Sequence, residues 1–179
     1  MTRFLLVLLI TILFTSCNND RKSRLQSPNK DINGISLIKY TIKNTYPHSI
    51  ESYTEGLIFH DNKLFESTGS PENYPKTRSV IGIVNLKTGN IDVKVEIDRD
   101  KYFGEGILFF KNKLYQLTYK NQLGFIYDPD NFKQIGTFNY INKEGWGMTT
   151  DGNSIIMSDG TNFITYWDPD SLKEIKKIN

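Results

Sequence analysis

The chain has 179 residues, with 22 Lys and Arg against 20 Asp and Glu, 2 His, 1 Cys and an aromatic content of 13%. A formal net charge of +2 gives no electrostatic drive toward nucleic acid, which needs a clustered basic face, and a single Cys excludes an intramolecular disulfide scaffold or a multi-cysteine zinc site. The aromatic load is too high for a disordered tail, and the length suits one domain or a piece of a larger one.

Residues 1–16 read MTRFLLVLLITILFTS: Arg3 supplies a positive start, and Phe4 to Phe14 is apolar except for Thr11. The run is shorter than the roughly 20 residues that span a bilayer, so a signal peptide is the expectation. Phe14-Thr15-Ser16-Cys17 resembles a bacterial lipobox, with Phe14 where Leu is usual. It implies that Cys17 is lipidated and becomes the new N-terminus, anchored by acyl chains at about 0.8 kcal/mol per buried methylene. The expected location is the bacterial cell envelope, lipid-anchored, on the periplasmic side or at the outer membrane. An ordinary secretory peptide with an incidental Cys is the alternative. Residues 17–34 are polar and cannot bury a core, so they read as a tether, and the domain is expected to occupy residues 35–179.

From Ile35 onward the chain reads as all-β. Ile35–Ile42 is β-branched and partly alternating, which predicts a strand. Asp61-Asn62-Lys63, Asn90, Lys111-Asn112-Lys113, Asp151-Gly152-Asn153 and Asp159-Gly160 are turn signals. Three segments superimpose: Gly56–Gly69, Gly106–Tyr119 and Gly147–Gly160, each a Gly, a short strand, a polar turn and a second strand. A second hairpin follows each, at Ile83–Asp98, Ile126–Phe138 and Tyr166–Ile178, with Asn85, Asp128 and Asp168 at equivalent points. Asp170–Lys177 could be read as a short helix, but the repeat argues for a strand. Four strands in roughly 40–50 residues is the size of a β-propeller blade. About three antiparallel four-stranded blades are therefore predicted, at Tyr53–Asp98, Phe103–Phe138 and Trp146–Ile178. Such blades bury their faces only against neighbours, so a fragment of a longer chain, or a ring completed by another chain, is expected.

The motifs within these repeats resemble those of the plant-type and bacterial glutaminyl cyclases, the glutamine cyclotransferases. Tyr53-Thr54-Glu55-Gly56-Leu57 is similar to the family's Phe-Thr-Gln-Gly-Leu, and Leu64-Phe65-Glu66-Ser67-Thr68-Gly69 to its Leu-Tyr-Glu-Ser-Thr-Gly. Phe103-Gly104-Glu105-Gly106, Glu144-Gly145-Trp146-Gly147 and Ser158-Asp159-Gly160-Thr161 match without change, and Leu117-Thr118-Tyr119 stands where the family has Leu-Thr-Trp. The resemblance runs from about Pro47 to Asn179. It implies a five-bladed propeller that converts the N-terminal glutamine of a peptide or protein to pyroglutamate with release of ammonia.

In that reading Glu105 is the catalytic carboxyl, since an acid in a dry aromatic pocket has its pKa raised toward neutrality and can move a proton between nitrogens. Tyr53, Glu55, Phe103, Tyr119 and Trp146 are the expected substrate-binding residues, with Glu55 adding a negative charge suited to an ammonium. Each has a plainer reading. Glu105 could bond neighbouring backbone, Trp146 and Tyr119 could simply pack, and Glu55 could pair with a Lys. Glu144 and Asp159 sit in tight turns and read as structural. His48 and His60 are not spaced as a metal pair. No cofactor is expected for the chemistry. The resemblance allows for a structural metal ion, whose ligands the sequence does not identify. An Asn-Glu-Leu-Glu motif, a further Trp and a Lys of the family have no counterpart in these residues. The expectation is thus that the full-length protein is a monomeric cyclase and that this chain by itself is inactive and poorly stable. A non-catalytic propeller that presents loops to a glycan or peptide is the alternative.

Overall fold

The computed structural model describes residues 38–179; the signal-like segment, Cys17, the tether and positions 35–37 lie outside the described residues. Residues 38–43 carry no regular secondary structure, and Ile38, Tyr40 and Ile42 are 92%, 68% and 60% exposed. The strand expected over Ile35–Ile42 is therefore not formed across Ile38–Ile42. Alternation supplies only one side of a ladder, and a strand without a paired neighbour is not stable in water.

Residues Asn44–Asn179 form a compact unit whose regular elements are all strands. In chain order they are β1 (Tyr53–His60), β2 (Lys63–Gly69), β3 (Val80–Val84), β4 (Ile91–Glu96), β5 (Gly104–Phe110), β6 (Lys113–Thr118), β7 (Leu123–Tyr127), β8 (Gln134–Asn139), β9 (Met148–Thr150), β10 (Ile155–Ser158), β11 (Ile164–Trp167) and β12 (Glu174–Ile178). They pair as three antiparallel four-stranded meanders, β1–β4, β5–β8 and β9–β12, in the places the sequence repeat predicts. The Asp170–Lys177 stretch resolves into β12, a strand.

The repeat has a physical basis in its turns. The β1–β2 and β5–β6 connections place Asp61 and Asn62 at φ 46° and 60°, and Lys111 and Asn112 at φ 46° and 55°. These are the left-handed values that a two-residue hairpin turn of matching twist requires. The equivalent points Asn85, Asp128 and Asp168 build a second turn three times. The Asp128 carboxylate accepts the backbone N–H of Asp130 at 2.9 Å and of Asn131 at 3.1 Å. The Asp168 carboxylate accepts those of Asp170 and Ser171 at 3.2 and 2.7 Å, and the Asn85 side chain those of Lys87 and Thr88 at 3.0 and 3.2 Å. Four residues on, Gly89, Phe132 and Leu172 donate their N–H back to the same residue's carbonyl, each at positive φ. Glycine is the unstrained choice there, and only the first blade has one.

Two apolar layers hold the sheets together. Phe65, Ile81 and Val95 of the first sheet pack on Ile107, Leu114, Phe125 and Tyr127 of the second. The opposite face of the second sheet, Leu108, Tyr115, Leu117 and Phe138, packs on Ile155, Met157 and Trp167 of the third. The middle sheet is buried on both faces, which explains why Ile107–Phe110 of β5 is consecutively apolar rather than alternating. Of the polar residues buried there, Gln116 is satisfied by donating to Ser67 Oγ at 3.3 Å and accepting from the Tyr127 hydroxyl at 2.9 Å.

Candidate active site

The first strand of each sheet lies beside the next, β1 against β5 and β5 against β9. Glycine makes the approach close. A Cβ on Gly56 would stand 3.2 Å from Gly106 Cα, and one on Gly106 would stand 2.6 Å from the Trp146 carbonyl oxygen and 2.9 Å from Gly147 Cα. The Gly106 N–H donates to the Trp146 carbonyl at 2.8 Å, and the Ser67 hydroxyl donates to the Glu105 carbonyl at 2.6 Å, so the seams are also stitched by hydrogen bonds. The repeating glycines of the sequence are thus the points at which neighbouring blades touch.

The residue before each of these glycines is Glu55, Glu105 or Trp146, and all three reach one cavity of about 550 Å³. Backbone irregularity aims the two acids. The β1–β2 register skips from Thr54 to Gly56, leaving Glu55 at a bulge, and the β5–β6 register skips from Gly104 to Ile107, leaving Glu105 and Gly106 at another. A bulge turns a side chain out of the strict alternation of its strand, and bulges concentrate beside functional sites.

All six residues expected at the site line this cavity: Tyr53, Glu55, Phe103, Glu105, Tyr119 and Trp146. The aromatic wall is continuous. Tyr53 meets Phe103 edge-on with ring centroids 6.1 Å apart, and Phe103 meets Tyr119 at 5.8 Å. Phe103 is seated directly on Gly69, where a Cβ would come within 2.1 Å of its ring. Opposite stands Trp146, whose indole N–H donates to Glu144 at 2.9 Å and whose ring covers Gly160, with 2.5 Å to a hypothetical Cβ there. Tyr53 and Trp146 remain 44% and 45% exposed, so the cavity mouth is aromatic and open.

Glu105 is only 6% exposed. Burial pushes its carboxyl pKa up to about 9, helped by the charge of Glu55, a hydrogen bond with Glu55 and the more distant charge of Glu144. Glu55 is also raised by burial, but the hydrogen bond from Glu105 favours its ionised form. Two carboxyls that share one cavity cannot both ionise cheaply, and of the two it is Glu105 whose burial and neighbouring charge favour the proton most. Glu55 shares its cavity with the acid Glu105. Among the described residues no Lys or Arg lines the cavity; Lys120 lies 3.7 Å from Glu144 and 4.4 Å from the centre of the Tyr119 ring.

Pro71, Gly147 and Ser158 also line the cavity and were not singled out from sequence. The Ser158 hydroxyl accepts the Gly147 N–H at 3.1 Å, which leaves its own proton free to donate into the cavity. Its signal was the Ser-Asp-Gly-Thr motif, in which Asp159 only closes the turn, accepting from Thr161 N–H at 3.1 Å and from Asn142 at 2.7 Å. His48 donates toward, or accepts from, the buried Glu66 at 2.9 Å, and His60 stacks on Phe109 with centroids 3.9 Å apart. Among the described residues no group of three or more His, Cys, Asp or Glu side chains is arranged to hold a metal ion.

A propeller-like stack of four-stranded sheets that gathers two carboxyls and aromatic rings around one cavity at its seams defines the class. The comparisons narrow it. The family model for glutamine cyclotransferase matches residues 8–179, and the chain belongs to that family. It is 36% identical over 133 residues to a glutaminyl-peptide cyclotransferase of Arabidopsis thaliana, a match spanning 74% of this chain and 40% of the relative. The crystal structure of Myxococcus xanthus glutaminyl cyclase superimposes with a TM-score of 0.63 at 27% identity, over 75% of this chain and 53% of that one. A Bacteroides caccae protein of unknown function superimposes with a TM-score of 0.52 at 13% identity, over 73% of this chain and 47% of that one, which shows the fold alone. The chain thus spans about half the length, or less, of these relatives.

Proposed function

We propose that the protein to which this chain belongs is a glutaminyl-peptide cyclotransferase, closing the N-terminal glutamine of a peptide or protein to pyroglutamate and releasing ammonia. The observation that carries this reading is Glu105, a buried carboxyl with its pKa pushed up to about 9 that lines an open aromatic cavity. Cyclisation needs a group of that kind. The α-amine attacks the side-chain amide carbon, and a proton must pass from the attacking nitrogen to the leaving one. A carboxyl with a pKa near the working pH both gives and takes that proton, an effect of about 10²–10⁴-fold on rate. The rings of Tyr53, Phe103, Tyr119 and Trp146 supply apolar walls for the glutamine methylenes. The Ser158 hydroxyl is a donor suited to the oxygen on which negative charge develops.

Lipidation at Cys17 and placement in a bacterial cell envelope belong to the same reading. They are supported by the apolar leader and by Phe14-Thr15-Ser16-Cys17. Substrates would then be exported polypeptides that begin with glutamine.

The test is ammonia release from a glutaminyl dipeptide by the folded, complete protein, with Glu105→Gln beside it. Release by the wild type and a loss of about a hundredfold or more in the variant support the reading. A folded wild type that releases none refutes it and leaves a peptide-binding propeller. A fully active variant removes Glu105 from the chemistry.

A further inference from the structure

We propose that Glu55 is a second catalytic carboxylate, the base that receives the first proton of the substrate's α-ammonium, working as a pair with Glu105 across the β1–β5 seam. The inference rests on the cyclisation chemistry proposed above and adds a residue and a substrate form to it.

Geometry isolates Glu55 for this role. It stands at the register skip of β1, in the position equivalent to Glu105 on β5, and both line the same cavity. The glycines that follow them touch, with 3.2 Å between a Cβ built on Gly56 and Gly106 Cα, which sets the two carboxyls on adjoining strands of the one cavity. Among the described residues no Lys or Arg lines the cavity. The nearest acid of the next repeat, Glu144, is occupied by the Trp146 N–H at 2.9 Å and by Lys120 at 3.7 Å. The hydroxyl of Tyr140, which senses the Glu105 charge, donates to the Thr118 carbonyl. Among the described residues the pair thus has no cation lining its cavity, which is open at its aromatic mouth. An ammonium is the complement of such a site, and a substrate that enters as the cation brings it.

The proton count closes. Glu55 carboxylate takes one proton from the α-ammonium and leaves a neutral amine. The amine lone pair forms the N–C bond to the amide carbon, whose carbonyl π pair moves onto oxygen. Glu105 gives its proton to the amide nitrogen and takes one from the ring nitrogen. The oxygen pair returns, the original C–N bond breaks and ammonia leaves. Glu55 then gives its proton to that ammonia, which departs as ammonium. Both carboxyls end as they began, and the two protons lost by the α-nitrogen are the two gained by the leaving one.

The pairing predicts which form of the substrate is used. With Glu55 as base the enzyme binds the ammonium, and kcat/KM holds up below the pKa of an α-amine, about 7.7–8.0, falling only when Glu55 itself is protonated. Without that base, only the free amine reacts, and the acidic limb moves up to the amine's own pKa. The experiment is the pH profile of kcat/KM for a glutaminyl dipeptide with the wild type, Glu55→Gln and Glu55→Asp, the fold of each checked by its melting temperature. Between pH 8.5 and pH 6 the activity of Glu55→Gln relative to wild type is expected to drop by roughly a further 50-fold, the fall in free amine over that interval. Glu55→Asp should keep the acidic limb low at a reduced kcat. Coincident acidic limbs in wild type and Glu55→Gln overturn the proposal. So does a wild-type limb that sits at the amine pKa, a result readable even where the variants do not fold. A wild type that makes no ammonia at any pH refutes the cyclase reading, whereas an active wild type with coincident limbs refutes only the pair.

Discussion

Replacing Glu105 with Gln should make the protein more stable at neutral pH while it removes the proposed chemistry. The carboxyl has its native pKa raised from 4.5 to about 9. For an acid shifted upward, the folded state holds a proton that the unfolded chain releases, so stability falls as pH rises between those two values. Each unit costs up to about 1.4 kcal/mol. From pH 4.5 to pH 7 that amounts to roughly 3 kcal/mol, an upper value because the neighbouring Glu55 takes part in the same titration. Against a total of about 5–15 kcal/mol for a domain, the difference is easily read. Glutamine has the same shape and no charge to desolvate, so Glu105→Gln should match the wild type near pH 4.5 and exceed it progressively above. Urea unfolding at half-unit steps from pH 4.5 to pH 8.5, with m-values compared to confirm the same transition, gives both curves. Parallel curves, or a variant less stable than wild type at pH 8, would refute the reasoning that burial and Glu55 hold this carboxyl protonated.

Two further substitutions test the walls of the cavity. Gly69→Ala places a methyl 2.1 Å from the Phe103 ring; about 1–3 kcal/mol of stability should be lost to the displaced ring, with a raised KM in the ammonia assay, and an unchanged KM would mean that Phe103 does not contact substrate. Glu144→Ala removes the 2.9 Å acceptor of the Trp146 indole, and should loosen that ring, seen as a KM higher by several-fold at a nearly constant kcat; an unchanged KM would mean that this bond does not position the ring.

The blades and most of the cavity were readable in the sequence because both depend on local chemistry. Hairpin turns need left-handed residues or a side chain that caps backbone N–H groups, and the Asp61-Asn62, Asn85, Asp128 and Asp168 signals are those devices. The glycine starts of each repeat mark where blades touch, and the residue before each glycine is delivered to the inner seam for the same reason in all three. What lay beyond the sequence was pairing across distance. Glu55 and Glu105 are 50 positions apart, and only the seam brings them into one titrating pair. Ser158 entered the cavity through the β9–β10 end, which its motif did not announce as a donor. The Ile35–Ile42 pattern was read as a strand, and over Ile38–Ile42 it is not one, since an alternating stretch carries no information about whether an edge exists for it to join.

The account stands on the proton at Glu105, and infrared difference spectroscopy sees that proton directly. Wild type minus Glu105→Gln, recorded from pH 5 to pH 10, should show a protonated carboxyl stretch that persists through pH 7 and fades toward a midpoint near 9. A carboxylate already ionised at pH 6 would contradict the account.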